Sequence, residues 1–447
     1  MSVPASYTAP NVVADLTAAA AAGGGTDFRA LVCVFLFGGN DHYNTVIPLT
    51  GANRQQYDFY RPDQTNVGIP IAQAPTNHLG ADWRLHHNLG GLKTRWDAGD
   101  LGVVLNVGML IEPTTRQAYQ ARSVRIAQQL FSHNSQQQQW QALEQFGLPI
   151  LRGWFGRAAN LAAGYFNPAP TDGLPPGFSV SGLQTLMRGY AGLRSSDMQE
   201  AGPSTIESFT AHSTTVESGG HAAAARIRSD YQNALQGYWA DRMTSAIARQ
   251  ASLAAALQAL PGTPNGRFDA VSGNSLAQQL RVVARVIHSR TQFAQRRQLF
   301  FVSIGGFDTH DSLRARHDAL MSTVDEALNT FWLALGDLSM QDSVTTFTMS
   351  DFGRALIQNG RLGTDHGWGG HHFVMGGSVN GSIYGAPYDM TVDGPQDSGQ
   401  GRSIPTLSCD QYAGELLRWW GIPSQHLRLV LPNLPNMLST GIAGLMQ

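Results

Sequence analysis

The sequence is poor in lysine and cysteine. Lys93 is the only lysine among 447 residues, and the arginines are scattered along the chain. Proteins that bind nucleic acid carry clustered Lys and Arg, so nucleic acid is not expected as a partner. Cys33 and Cys409 lie too far apart in sequence to form a ligand pair or redox motif, and we interpret them as core residues or one disulfide.

Signals for membranes and nucleotides are also absent. No stretch reaches the roughly 18 to 20 apolar residues of a transmembrane helix, so no bilayer-spanning segment is expected. Residues 1–26 end in a small-residue tract without a preceding twin arginine, which predicts a flexible arm or an export-signal remnant. The pair Gly38-Gly39 is not followed by a Walker lysine, which argues against a P-loop.

The apolar residues, 42% of the chain, are concentrated in short runs typical of fully buried strands. Amphipathic stretches over residues 88–98 and 313–338 predict helices between them. This alternation predicts an α/β fold with a mostly parallel sheet flanked by helices. The predicted strands are Phe28–Phe37, Leu101–Val107, Gln298–Ile304 and Val344–Met349.

Residues 147–273 differ from the rest in being rich in Pro, Gly, Ala and Ser. Helical patches at 151–165 and 222–260, without a convincing buried strand, predict a mainly helical insertion or cap. We therefore predict an α/β core made of residues 27–146 and 274–447, interrupted by this insertion.

Asp308 and His310 follow the predicted strand at residues 298–304 after a glycine turn. Functional groups in open α/β sheets collect at the carboxyl ends of strands, and carboxylate oxygen with imidazole nitrogen suits zinc. The alternative is that Asp308 only caps the next helix. The motif is a candidate metal-ligand pair.

A second histidine-rich segment contains Asp365, His366, His371 and His372, separated by glycines that let the backbone fold tightly. These are further candidate ligands, unless they are solvated loop histidines. Asp41 also follows a buried strand and is expected to reach the same face of the sheet as Asp308.

Two further segments carry candidate catalytic or metal-binding groups. Ser132 and His133 precede a helical stretch, where free amides and the helix dipole favour an anion and where a metal could activate the hydroxyl. The alternative is that Ser132 or Ser135 is only an N-cap. Asp351 and Arg354 close another strand and offer a metal ligand and an anion clamp, or a structural ion pair.

These segments together resemble the family called domain of unknown function 1501, usually placed near the alkaline phosphatase and sulfatase superfamily. The matching motifs are ALVCVFLFGGNDHYNTVIP at Ala30–Pro48, LFSHNSQ at Leu130–Gln136, GGFDTH at Gly305–His310, SDFGR at Ser350–Arg354 and GTDHGWGGHHFVMGG at Gly363–Gly377. The resemblance implies an alkaline phosphatase-like core.

The superfamily pattern implies a first-strand Asp, a nucleophile at a helix start, an Asp and His on a later strand, a consecutive Asp-His and a final His. The positions that match are Asp41, Ser132, Asp308 with His310, Asp365 with His366, and His371 or His372. The chain departs from the pattern in two ways: one residue rather than three separates the later Asp and His, and the final His follows soon after the Asp-His pair. It has no Cys-x-Pro-x-Arg sulfatase motif.

We therefore expect a metal-dependent hydrolase or transferase that acts on phosphate or sulfate esters in an anionic small molecule or polymer. One or two divalent ions are expected, zinc foremost, with calcium, magnesium, manganese or copper as alternatives. The resemblance implies the periplasm or cell surface of a bacterium. Two other classes stay open: a redox metalloenzyme with copper or iron, and a non-catalytic metal-binding assembly protein.

Overall fold

The computed structural model describes residues 3–24, 27–70, 77–167, 175–190, 196–199, 202–203, 263–385 and 388–447, with a few positions between 237 and 257. Its helices are α1 Pro10–Ala22, α2 His42–Thr45, α3 Gly51–Tyr60, α4 Gly90–Ala98, α5 Arg116–Ala121, α6 His133–Ala142, α7 Trp154–Ala162, α8 Thr263–Asp269, α9 Ser275–His288, α10 Leu313–Asp337, α11 Cys409–Trp420 and α12 Leu427–Val430.

The strands of the described residues form one large mixed sheet and two small sheets. In chain order they are β1 Arg29–Leu36, β2 Val46–Pro48, β3 His78–Leu79, β4 Trp83–Leu85, β5 Leu101–Gly108, β6 Gly177–Ser179, β7 Ser196–Gln199, β8 Gly202–Pro203, β9 Arg297–Ile304, β10 Val344–Ser350, β11 Arg354–Gln358, β12 Thr364–His366, β13 Gly370–Met375, β14 Ile383–Tyr384 and β15 Leu407–Ser408.

The large sheet has the order β14-β5-β13-β10-β1-β9-β6-β7-β8, and β15 also pairs with β5. The central strands β10, β1, β9 and β6 run parallel, whereas β13 runs antiparallel to both of its neighbours. The predicted α/β class with a mostly parallel sheet is thus confirmed. All four predicted strands are present within two residues of their predicted ends.

Strand β1 shows why the apolar runs are continuous. Val32 and Val34 belong to the hydrophobic core on one face of the sheet, while Cys33 and Phe35 belong to the core on the other face. Successive side chains of a strand alternate between faces, so a sheet covered on both faces needs apolar residues at every position. Cys33 and Cys409 are both buried and free, as expected of core residues.

Two segments differ in detail from the sequence predictions. Within 147–273, which we predicted to be mainly helical, β6 pairs in parallel with β9 and extends the main sheet. The predicted helical patch at 222–260 lies mostly outside the described residues. Near the N-terminus, α1 buries Val12 and Leu16 in the core of one sheet face, so this part of the predicted arm packs against the body.

None of the described helices combines the length and apolar character needed to cross a bilayer.

The carboxyl ends of β1, β9 and β10 meet at one edge of the sheet, because the three strands are parallel neighbours. The chain passes so closely here that Gly38 is required. Its φ is +115°, and a Cβ at this position would lie 2.3 Å from the backbone nitrogen of Asp308. The loop after β1 is therefore held directly against the loop after β9.

A buried ion pair between Asp41 and Arg61 stabilises the loop after β1 at the same edge. Both carboxylate oxygens of Asp41 accept hydrogen bonds from Arg61, at 2.7 and 2.9 Å, and neither side chain is exposed. Arg61 also donates to the carbonyls of Ala355 and Leu356 on β11. The pair thus ties the loop after β1 to the β11–β12 hairpin.

We expect Arg61→Met to lower the free energy of unfolding by about 3–5 kcal/mol, because it leaves the buried Asp41 carboxylate without its partner. Urea unfolding followed by circular dichroism measures the change. Lys93→Met is the control: Lys93 pairs with Asp97, which is 59% exposed, and its loss should change stability by about 0.5 kcal/mol or less. Equal losses in the two variants would contradict the assigned role of Arg61.

Candidate metal centre

The loops at this edge bring four potential metal ligands together: His133, Asp308, His310 and His366. One ligand atom from each lies within 4.8 Å of every other. Asp308 and His310 come from the loop after β9, His133 begins α6, and His366 ends β12. Their side chains are 21 to 47% exposed, so the cluster opens to solvent.

The Nε2 atoms of the histidines converge on one carboxylate oxygen, Oδ1 of Asp308. The distances from this oxygen are 3.0 Å to His310, 3.3 Å to His133 and 3.5 Å to His366. The Nε2 atoms of His310 and His366 lie 2.8 Å apart. Ligand atoms around a tetrahedral ion with bonds of about 2.0 Å lie roughly 3.3 Å apart, so the cluster has the dimensions of a zinc site.

The other ring nitrogen of each histidine faces an oxygen. Nδ1 of His133 lies 2.6 Å from the Asp351 carboxylate, and Nδ1 of His366 lies 2.6 Å from the carbonyl of Phe131. Nδ1 of His310 faces Asp365 at 3.5 Å. Because a carbonyl can only accept, Nδ1 of His366 carries the proton and leaves Nε2 as a bare ligand atom. Metal-binding histidines are oriented by such partners.

One buried ligand atom also lacks a hydrogen-bond partner among the described residues. Nε2 of His133 is shielded from solvent and makes no hydrogen bond there. A buried polar atom without a partner destabilises a fold unless something binds it. This atom faces the cluster, so the residues present fit a bound cation.

Burial and neighbouring charges shift the pKa values of Asp308, His366 and His133. Burial acts to raise the pKa of Asp308, but the hydrogen bond from Arg354 and its charge outweigh burial, so the net pKa is lowered. Burial lowers the pKa of His366. The pKa of His133 is raised, mainly by its hydrogen bond to Asp351.

The predicted ligands Asp351 and Asp365 therefore face the ring nitrogens that point away from the cluster. Asp351 also accepts from Gln137 at 2.8 Å and from the backbone N–H of Gly38 at 3.2 Å. Gln137 was not predicted, although it lies four residues after His133 and so shares its face of α6.

The structure places the other three predicted ligands apart from the cluster. Asp41 is bound to Arg61. His371 and His372 lie inside β13 rather than in a loop and point to opposite faces, where burial lowers both pKa values to about 3. The ring of His371 contacts His42 and Tyr388, and that of His372 contacts Trp140 and Tyr412.

The predicted catalytic residues flank the cluster, except that His133 is one of the four converging side chains. Ser132 immediately precedes it and makes no capping hydrogen bond with its side chain. Arg354 is fully buried and donates to Asp308 at 3.0 Å, so the ion pair at this site joins Arg354 to Asp308 rather than to Asp351. Asp308 is not the cap of the next helix, whose N-cap is Ser312.

A second group, made of His86, His87 and Asp318, was not predicted from the sequence. In this group the proton of His86 lies on the ring nitrogen opposite to that of His366. Nδ1 of His86 accepts the backbone N–H of Asn88 at 3.1 Å, so its Nε2 must carry the proton and donate to Asp318 at 2.9 Å. Arg314 occupies the same carboxylate at 3.0 and 3.1 Å. Hydrogen bonds thus occupy both ring nitrogens of His86, and Arg314 and His86 share the Asp318 carboxylate.

The chain belongs to the family described as protein of unknown function (DUF1501), whose model matches residues 29–395. All four converging residues lie within the match. No curated protein matches the chain.

We expect His366→Ala and His310→Ala each to weaken zinc binding at least about tenfold, because each removes a ligand atom or its orientation. Titration calorimetry and zinc content after dialysis measure the effect. His87→Ala, in the second histidine group, is the matched control and should bind zinc as the wild type does. Loss of zinc in this control with retention in His366→Ala would place the ion elsewhere.

Zinc affinity should depend on pH through His133. A histidine must lose its proton to bind a metal, and the pKa of His133 lies above the ordinary value of 6.5. We therefore expect affinity to fall as the pH drops through a midpoint above 6.5. Asp351→Asn removes the main interaction that raises this pKa, so the midpoint should move to lower pH, whereas Asp97→Asn on the exposed surface should leave it unchanged. Zinc titrations between pH 5.5 and 8 test both.

Proposed function

We propose that this DUF1501 protein is a metal-dependent hydrolase or transferase that acts on phosphate or sulfate esters. His133, Asp308, His310 and His366 would hold one divalent ion, zinc foremost. The observation that carries the proposal is the convergence of three Nε2 atoms on the Asp308 carboxylate, with each Nδ1 turned toward an oxygen.

When bound by these residues, a divalent ion would supply the positive charge needed to polarise an ester oxygen and to stabilise negative charge in the transition state. The protein itself keeps the ligands in place. Arg354 holds the Asp308 carboxylate, and Asp351 holds His133. Because the ligand side chains are partly exposed, an ester oxygen can approach from solvent.

Ser132 is the proposed nucleophile. Its Cα lies about 3.8 Å from that of His133, since consecutive residues are linked by one peptide bond. The free amides at the start of α6 favour negative charge at its hydroxyl. The bond from Oγ to phosphorus or sulfur would form as the bond to the leaving oxygen breaks, and the hydroxyl proton would pass to that oxygen to give the alcohol. Water or a second alcohol would then take the transferred group from Oγ and give up its own proton to Oγ.

We extend the proposal to membership in the alkaline phosphatase and sulfatase superfamily and to an alkaline phosphatase-like core. The mostly parallel sheet, with Asp308 and His310 beyond the carboxyl end of β9, supports this. Asp41 departs from the pattern, because the guanidinium of Arg61 occupies the position beside its carboxylate that a metal ion would take. A location in the periplasm or at the cell surface is also proposed, on the family resemblance alone.

A redox metalloenzyme is the second candidate, because three imidazoles and one carboxylate also suit iron and copper. The metal content of the purified protein distinguishes the two. Zinc supports the hydrolase, copper or iron supports the redox enzyme, and a protein that neither contains nor takes up a metal would contradict both.

We expect the zinc-loaded protein to hydrolyse p-nitrophenyl phosphate or p-nitrophenyl sulfate, and chelation to abolish the activity until zinc is returned. Ser132→Ala should lower kcat at least about 100-fold, because covalent catalysis loses its nucleophile. Its zinc content should not change.

Ser135→Ala is the matched control from the same helix start. Its hydroxyl donates to Gln129 at 2.6 Å and so is already engaged. This variant should keep kcat within about twofold of the wild-type value. Unchanged turnover in Ser132→Ala would rule out the assigned nucleophile.

A further inference from the structure

Arg354 cannot bind a substrate anion, although the sequence predicts that role. Its side chain is fully buried, and Nη1 donates to Asp308 at 3.0 Å and to the carbonyl of Gly38 at 3.3 Å. Nη2 donates to the carbonyl of Thr364, and Nε to the hydroxyl of the same residue at 3.3 Å. The guanidinium is occupied in positioning a ligand, so an anionic substrate needs another cation.

Arg402 borders the cluster and has terminal nitrogen atoms that can donate to an anion. Its Nε donates to the carbonyl of His366 at 2.9 Å, and its guanidinium lies over the ring of Phe131, 4.7 Å from the centroid. Both neighbours are part of the cluster or contact it, because the carbonyl of Phe131 accepts a hydrogen bond from Nδ1 of the ligand His366. Within the described ranges, Nη1 and Nη2 of the partly exposed Arg402 make no hydrogen bond or ion pair.

The loop that carries Arg402 is rigidly built. Oδ1 of the buried Asp397 accepts the backbone N–H of Gly399 at 2.8 Å and that of Arg402 at 2.9 Å. Gly399 and Gly401 adopt φ values of +122° and +70°, which glycine tolerates best. A side chain fixed at its backbone, at Nε and at its guanidinium face loses little entropy when it binds a ligand.

We propose that Arg402 determines specificity for anionic substrates by binding a tetrahedral oxyanion, phosphate or sulfate, at the cluster. This inference rests on the proposed function and names its substrate group. The free Nη1 and Nη2 atoms form the planar fork that pairs with two oxygens of such an anion. Nε of Arg402 is hydrogen-bonded to the carbonyl of His366, the residue whose Nε2 faces His310 and Asp308, so we place the anion between Arg402 and this Nε2.

Binding of inorganic phosphate and of sulfate to the zinc-loaded protein, measured by calorimetry, tests the proposal without requiring turnover. Arg402→Met keeps an apolar stem against Phe131 and should weaken binding of the preferred anion about 10- to 100-fold, the loss expected for charged hydrogen bonds. Zinc content should stay equal to that of the wild type, which shows that His366 is still in place. The two anions, titrated separately, distinguish a phosphate site from a sulfate site.

Arg125→Met is the matched control, because it removes the same charge from an exposed arginine that pairs with Glu112. It should bind the anion within about twofold of wild type, and Arg402→Lys should fall between wild type and Arg402→Met. The proposal fails if Arg402→Met binds both anions as wild type does, or if wild type binds neither. Anion binding that depends on Arg402 without ester turnover would overturn the proposed function instead.

Discussion

The candidate metal centre depends on which nitrogen of each histidine carries the proton. The carbonyl of Phe131 and the carboxylates of Asp351 and Asp365 face Nδ1 of the three histidines, so each Nε2 is turned inward. The partners of the second group are reversed, since Nδ1 of His86 accepts an amide and its Nε2 donates to Asp318. Two groups of similar composition thus differ in chemistry because their hydrogen-bond partners differ.

The sequence was sufficient for the fold class and for part of the centre. Continuous apolar runs identified β1, β5, β9 and β10, because a sheet covered on both faces leaves the signal uninterrupted. The strand-end rule then predicted that Asp308 and His310 lie beyond the carboxyl end of β9, where the structure has them. Their convergence with His366 depends on the β11–β12 hairpin, a long-range pairing that the local pattern did not show.

Other assignments could not be settled without long-range contacts. His371 and His372 lie in a glycine-rich segment that resembles a loop, but hydrogen bonding to β5 and β10 makes it a buried strand. Asp41 has the expected position after β1, yet nothing near it in sequence indicates that Arg61 occupies both of its oxygens. Arg402 belongs to no recognisable motif, and its hydrogen bond to the carbonyl of His366 depends on the fold of a tight loop 36 residues later in the chain.

The four converging residues come from three stretches of chain that lie on both sides of residues 147–273. His133 is synthesised well before this segment, and His366 well after it. A nascent chain that ends before His366 lacks one of the four ligands, so the ion would be acquired only after His366 has emerged. Loading would then be a late step in the maturation of the protein.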